Sequence, residues 1–266
     1  MGSSSKQKSP PIRLVLFDVF DTLCTPRLPV HEQYHEEALR AGIPSETISP
    51  DTVRAGFKPA FKEMDKTWPM YGKHADPPLM PEKWWTELIR RCIVNAGAEP
   101  SLVDHALPRL GPSLLKRFES EAGYRNFPET LDTLDELGRL GVKVSVVSNA
   151  DPRILHTLSA LDILPRLSHP PTLSWDVESS KPDRAIYDAA CRLCQETPGL
   201  GVVMIGDELR ADYHGSVAAG LEGRLIRRQG EWSDGAQRTA NEDLEGVSVL
   251  RSLSEIVEEV RSRQAE

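Results

Sequence analysis

The sequence is short of cysteine, and this excludes a disulfide-held scaffold. Four cysteines, Cys24, Cys92, Cys191 and Cys194, are too few to staple a chain of 266 residues. Cys191 and Cys194 stand three apart, but inside a stretch (184–195) that reads as helix. A redox-active pair sits instead at a helix start after a strand, so these two read as small buried hydrophobes. No apolar run approaches the ~20 residues that span a bilayer. Positive charge is also in deficit. There are 32 lysines and arginines against 40 aspartates and glutamates, a net charge of -8, so the surface on average repels polyanions and nucleic acid is excluded as an expected partner. The Arg227-Arg228 pair is too short to make a basic patch. The seven histidines show no metal-ligand spacing of the H-E-x-x-H kind, and His31 and His35 read as a solvated helix face. Residues 1–11 lack the apolar stretch of a secretory signal and read as a disordered tail. The expectation is a cytoplasmic or nuclear protein with neither a membrane nor a nucleic-acid partner.

What the chain does have is a repeated rhythm. Residues 12–17 form a short apolar run that ends at Asp18, as a buried parallel strand would. Residues 142–147 form a second, ending in Ser148-Asn149, and 202–205 a third, ending in Gly206-Asp207. Shorter candidates lie at 225–226 and 247–250. Helical patterns separate them: 128–140 with leucines at 131, 134, 137 and 140, 152–161, 182–193, and 253–260. Strand and helix in alternation predict a doubly wound α/β core with a parallel sheet. Residues 26–122 break the rhythm with four helical stretches at 31–41, 51–66, 81–96 and 102–121, and a Pro- and aromatic-rich loop at 68–81. Aromatics are scarce, 6% of the chain, yet Trp68, Tyr71, Trp84 and Trp85 gather here, as the core of a helix bundle or the wall of a pocket. The expected organisation is a core of 12–25 and 123–250, a helical cap of 26–122 inserted after the first strand, and a terminal helix within 251–266.

Three strands thus end in Asp18, Ser148 and Asp207, and ligands of open α/β sheets bind beyond the carboxyl ends of strands. Four segments carry a resemblance. Phe17-Asp18-Val19-Phe20-Asp21-Thr22-Leu23, Val146-Val147-Ser148-Asn149, Lys181-Pro182-Asp183, and Gly206-Asp207-Glu208-Leu209-Arg210-Ala211-Asp212 resemble, in order and spacing, the four motifs of the haloacid dehalogenase-like (HAD) hydrolase superfamily. The insert is similar to the family's C1-type cap. The resemblance implies a Rossmann-like core, a Mg²⁺ cofactor and a small phosphorylated substrate. It makes Asp18 the nucleophile that forms an ester intermediate. It makes Asp18, Asp207 and the backbone carbonyl of Phe20 the metal ligands, with Asp212 binding through water or orienting Lys181. Ser148 and the amide of Asn149 would donate to phosphate oxygens, and Lys181 would place a fixed positive charge beside nucleophile and phosphate.

One position departs from the pattern. Family phosphatases carry a second aspartate two residues after the nucleophile, which protonates the leaving oxygen and later activates water. Thr22 fixes the register, and Phe20 occupies that position; Asp21 falls one residue later. The expectation is a Mg²⁺-dependent phosphomonoesterase acting through an aspartyl-phosphate on Asp18, slowed by Phe20. The alternatives are a binding or scaffold protein on an impaired site and, with less behind it, a 2-haloacid dehalogenase, whose relatives also carry an aromatic residue at that position.

Overall fold

The computed structural model describes residues 9–232 and 242–265; most of the expected tail, residues 1–8, lies outside them. The chain divides into two compact units. One comprises residues up to Thr25, Asn126–Asn149 and Asp162 onward; the other comprises Pro26–Arg125 and Ala150–Leu161.

The first unit is built on a six-stranded sheet whose neighbouring strands all pair in parallel. Its strands are β1 (Leu14–Phe17), β2 (Lys143–Ser148), β3 (Thr172–Leu173), β4 (Val202–Gly206), β5 (Glu222–Ile226) and β6 (Val249–Leu250), in spatial order β3-β2-β1-β4-β5-β6. All four residues of β1 are buried, as a central strand covered on both faces requires. Alternation along the strand sends Leu14 and Leu16 to one face and Val15 and Phe17 to the other. Leu14 and Leu16 join Ile186, Tyr187 and Ala190 of the helix Arg184–Leu193 in one core cluster, which also holds Cys191 and Cys194. Burying each large side chain there contributes about 1.5–3 kcal/mol. Both cysteines are buried and unbridged, as their helical pattern predicts. The helix begins where the Asp183 side chain accepts a bond from the Ala185 N–H at 3.0 Å, an N-cap that satisfies one of the free amides of the first turn. The helices Thr130–Arg139 and Ser254–Ala265 are linked by the Arg261–Glu136 ion pair at 2.6 Å.

The second unit is helical: α1 (Val30–Arg40), α2 (Pro50–Thr67), α3 (Pro81–Asn95) and α4 (Pro100–Phe118). Each of the last three begins at a proline, whose missing N–H costs nothing in a first turn. Ser49 and Thr52 close a capping box on α2. Gly56 of α2 lies so close to α3 that a Cβ there would meet the Cys92 carbonyl at 2.6 Å. Trp84 is buried in the centre of the bundle, its indole N–H donating to the Trp68 carbonyl at 2.9 Å, and Trp68, Tyr71 and Trp85 pack around the same cluster. The segment Ala150–Leu161, placed with the sheet by the sequence pattern, groups with the helices instead. The Trp85 indole donates to the Asp151 carboxylate at 2.8 Å, the Thr157 hydroxyl to the Phe118 carbonyl at 2.9 Å, and Arg153 pairs with Glu119 at 3.4 Å. Among the described residues, no helix is long and apolar enough to cross a membrane.

Candidate active site

The site grows out of the sheet register. Phe17 lies opposite Val146 on one side and Ile205 on the other, so β2, β1 and β4 end at one level. Asp18 follows β1 directly and its N–H donates to the Ile205 carbonyl at 2.8 Å. Ser148 ends β2, and Asp207 follows β4. Asp18, Phe20, Ser148, Asn149, Lys181, Asp207 and Asp212, the seven residues singled out from sequence, line one cleft of about 140 Å³, together with Asp21 and Glu208. Glu208 was missed; its only signal was adjacency to Asp207. His31 and His35 belong to the helical unit.

Lys181 organises the cleft. Its ammonium donates to Asp18 Oδ1 at 2.5 Å and to Asp212 Oδ1 at 2.7 Å. Its backbone is held in turn by the Asn149 side chain, which accepts from the Lys181 N–H at 2.7 Å and donates to the Lys181 carbonyl at 3.0 Å. The Asn149 side chain therefore works on Lys181 rather than on a ligand. Asp212 also accepts from the Glu208 N–H at 2.9 Å, so both of its oxygens are committed to holding neighbours. It sits on a wide helical turn, Leu209–His214, which the Tyr187 hydroxyl pins by donating to the Ala211 carbonyl. Gly206 is required by this packing: a Cβ there would lie 2.1 Å from the Asp212 carboxyl carbon.

The charges do not balance. Burial pushes the Asp18 carboxyl up to about 7, and the nearby Asp212 adds to this, against the pull of Lys181. Burial alone would lower the Lys181 ammonium, but Asp18 and Asp212 carry it well above its ordinary range. Burial, with Asp212, also raises Glu208. One buried cation thus faces several carboxylates. Asp18, Asp207 and Asp212 can each offer an oxygen, and these oxygens lie within 4.8 Å of one another. An all-oxygen, net-negative donor set of this kind fits a hard divalent cation such as Mg²⁺.

Phe20 lines the cleft, and its side chain carries no proton to exchange. Asp21 lines it too, in the left-handed backbone region at φ 56°. The Thr25 hydroxyl donates to Asp21 Oδ1 at 2.8 Å. Burial raises the Asp21 carboxyl to about 6, opposed by Thr25 and Arg228.

The chain is similar to known proteins. Residues 12–220 match the family model of haloacid dehalogenase-like hydrolases. The chain is 34% identical over 247 residues to haloacid dehalogenase-like hydrolase domain-containing protein 3 of Danio rerio, covering 92% of this chain and 95% of that one. Its fold resembles that of a HAD phosphatase from Thermococcus onnurineus, with TM-score 0.59, 22% identity, and 93% and 97% of the two chains covered. It also resembles that of a 2-haloacid dehalogenase from Pseudomonas syringae, with TM-score 0.61, 20% identity, and 95% and 99% covered. Three motifs at the ends of adjacent parallel strands, a fourth that brings Lys181 to them, and a family match that spans most of the chain lead to one conclusion: this protein belongs to the haloacid dehalogenase-like hydrolase family.

Proposed function

We propose that the protein hydrolyses a small phosphomonoester through an aspartyl-phosphate on Asp18, with Mg²⁺ as cofactor. The observation that carries this reading is the meeting of Asp18, Asp207 and Asp212 oxygens within 4.8 Å of one another, beside a lysine that bridges two of them. A dehalogenase has no need of such an acidic cluster, because halide leaves as an anion without metal assistance. When bound, Mg²⁺ would be held by Asp18, Asp207 and the Phe20 carbonyl and would offset the repulsion between a carboxylate and a phosphate dianion.

The chain's own residues carry the rest. Asp18 Oδ attacks phosphorus as the bond to the leaving oxygen breaks. Lys181, fixed by Asp212 and Asn149, stabilises the charge that spreads over the phosphoryl oxygens. Ser148 and the Asn149 amide orient those oxygens. Water then attacks the acyl phosphate, releasing inorganic phosphate and restoring the Asp18 carboxylate. Phe20 can neither protonate the leaving alkoxide nor activate that water, so those protons pass through solvent or substrate. The absence of this help costs roughly 10²–10⁴-fold in rate.

The same Phe20 supports a second reading, a binding or scaffold protein on a site that no longer turns over. The test is phosphate release from a panel of phosphomonoesters, with and without Mg²⁺, by the wild type, Asp18→Asn and Phe20→Asp. Mg²⁺-dependent release that Asp18→Asn abolishes supports the phosphatase. Release seen only with Phe20→Asp supports the binding protein.

A further inference from the structure

Two consecutive arginines stand where β5 runs out, and both are buried, Arg227 at 3% and Arg228 at 7% exposure. Arg227 is anchored in the sheet, its N–H donating to the Leu250 carbonyl at 2.8 Å. Its guanidinium donates to the backbone carbonyl of Asp207 and pairs with Glu242 at 2.6 Å. Arg228 points to the neighbouring loop. It donates to the Thr22 carbonyl at 2.8 Å, to the Asp21 carbonyl at 3.3 Å and to Glu129 Oε1 at 2.8 Å, with its guanidinium carbon 3.5 Å above the Phe127 ring. The two side chains therefore grip the main chain of both loops that carry the paired aspartates. One loop follows Asp18, the other contains Asp207. Neither arginine lines the cleft.

We infer that Arg227 and Arg228 are positioning residues: a clamp at the end of β5 that sets the loop after Asp18 and the loop at Asp207 in a fixed relation through their carbonyls. This rests on the reading of Asp18 and Asp207 as cation ligands. Asp21 occupies a left-handed backbone region, φ 56°, that a residue with a Cβ enters only at a cost. Two carbonyls gripped on one fork hold that turn and, with it, the preceding Phe20 carbonyl. A guanidinium suits the task because its planar fork reaches several acceptors at once, whereas a lysine offers one point of charge. Lysine at 228 would still neutralise Glu129 but could not hold both carbonyls and Glu129 in one plane.

The test uses the full chain and Arg228→Lys. Three quantities are read: thermal stability, Mg²⁺ affinity by titration calorimetry, and amide hydrogen exchange of residues 19–24 in cation-free protein. The clamp predicts that exchange at 19–24 quickens about 10-fold while the rest of the sheet is unchanged. It also predicts that Mg²⁺ affinity falls by about 10-fold, the range seen when groups that orient ligands are lost. Unchanged exchange at 19–24 with affinity within about twofold would overturn it, and so would a uniform rise in exchange across the sheet, which marks a merely structural role. If Arg228→Lys does not fold, Arg227→Lys, which gives up the guanidinium's hold on the Asp207 carbonyl, is read in the same way with exchange at residues 206–210 in place of 19–24. A wild type that binds no Mg²⁺ would count against the proposed metal site, while the exchange result would still decide the clamp.

Discussion

Replacing Lys181 by Met tests the charge arrangement most severely. The side chain is 3% exposed and its ammonium touches Asp18 at 2.5 Å and Asp212 at 2.7 Å. Methionine matches its length and keeps its apolar contacts, so the loss is that of the charge. Removing one partner from a buried ionic cluster costs about 3–5 kcal/mol, because the remaining charges stay desolvated and uncompensated. For a chain of this size each kcal/mol moves Tm by about 2–4 °C, so thermal unfolding at neutral pH should fall by about 6–20 °C. Asp18, already raised by burial, would rise further. A carboxylate whose folded pKa is raised contributes stability at low pH that is lost as pH rises through that pKa. Because the wild-type carboxyl already sits at about 7, the deficit of Lys181→Met should shrink as pH falls from alkaline values toward 7, where the variant's Asp18 is protonated and the wild type's is not. Saturating Mg²⁺ should restore more stability to the variant than to the wild type, since the site it enters is more negative. A variant within about 2 °C of wild type at neutral pH, set against that 6–20 °C, would refute the claim that Lys181 is what offsets the clustered carboxylates.

Other outcomes follow from the same geometry. Gly206→Ala places a Cβ 2.1 Å from the Asp212 carboxyl carbon; displacing Asp212 should cost about 1–3 kcal/mol in denaturant unfolding and weaken Mg²⁺ binding in calorimetry. Burial alone would raise the Glu222 carboxyl, but Arg263, the Gly201 N–H and Arg224 hold it at about 2. The stability it contributes is present above the ordinary carboxylate range and is lost as pH falls from about 4.5 toward 2. Glu222→Gln should cost about 1 kcal/mol at pH 7, allowing for solvent screening, and flatten the acid limb of a Tm–pH curve. Phe20→Asp should raise kcat on the best ester by up to roughly 10²–10⁴-fold; unchanged turnover in steady-state assays would contradict the role given to that position.

The strands that build the site were legible because burial on both faces leaves unbroken apolar runs. The runs at β1, β2 and β4 end at Asp18, Ser148 and Asp207, and parallel register brings those ends to one level. β3 was not legible: Thr172–Leu173 has two residues, too few to show a period, and its identity comes only from pairing with β2. The grouping of Ala150–Leu161 with the helices depends on contacts such as Trp85 with Asp151 and Thr157 with Phe118, which join residues far apart in sequence and leave no periodic trace. Arg227 and Arg228 read as a basic pair too short to matter, because a sequence does not say that a guanidinium is buried against carbonyls. Asp21 read only as an aspartate one residue past the position that Phe20 holds, yet it lines the cleft, in a backbone region of positive φ that the sequence pattern does not reveal.

The most direct measurement is acid quenching of the wild type during turnover of its best phosphomonoester with Mg²⁺, followed by peptide mapping of the phosphoryl group. The account predicts an acid-stable, hydroxylamine-sensitive phosphoryl group on the peptide containing Asp18 and none in Asp18→Asn. Sustained Mg²⁺-dependent turnover by Asp18→Asn, or a phosphoryl group mapped to another residue, would contradict it.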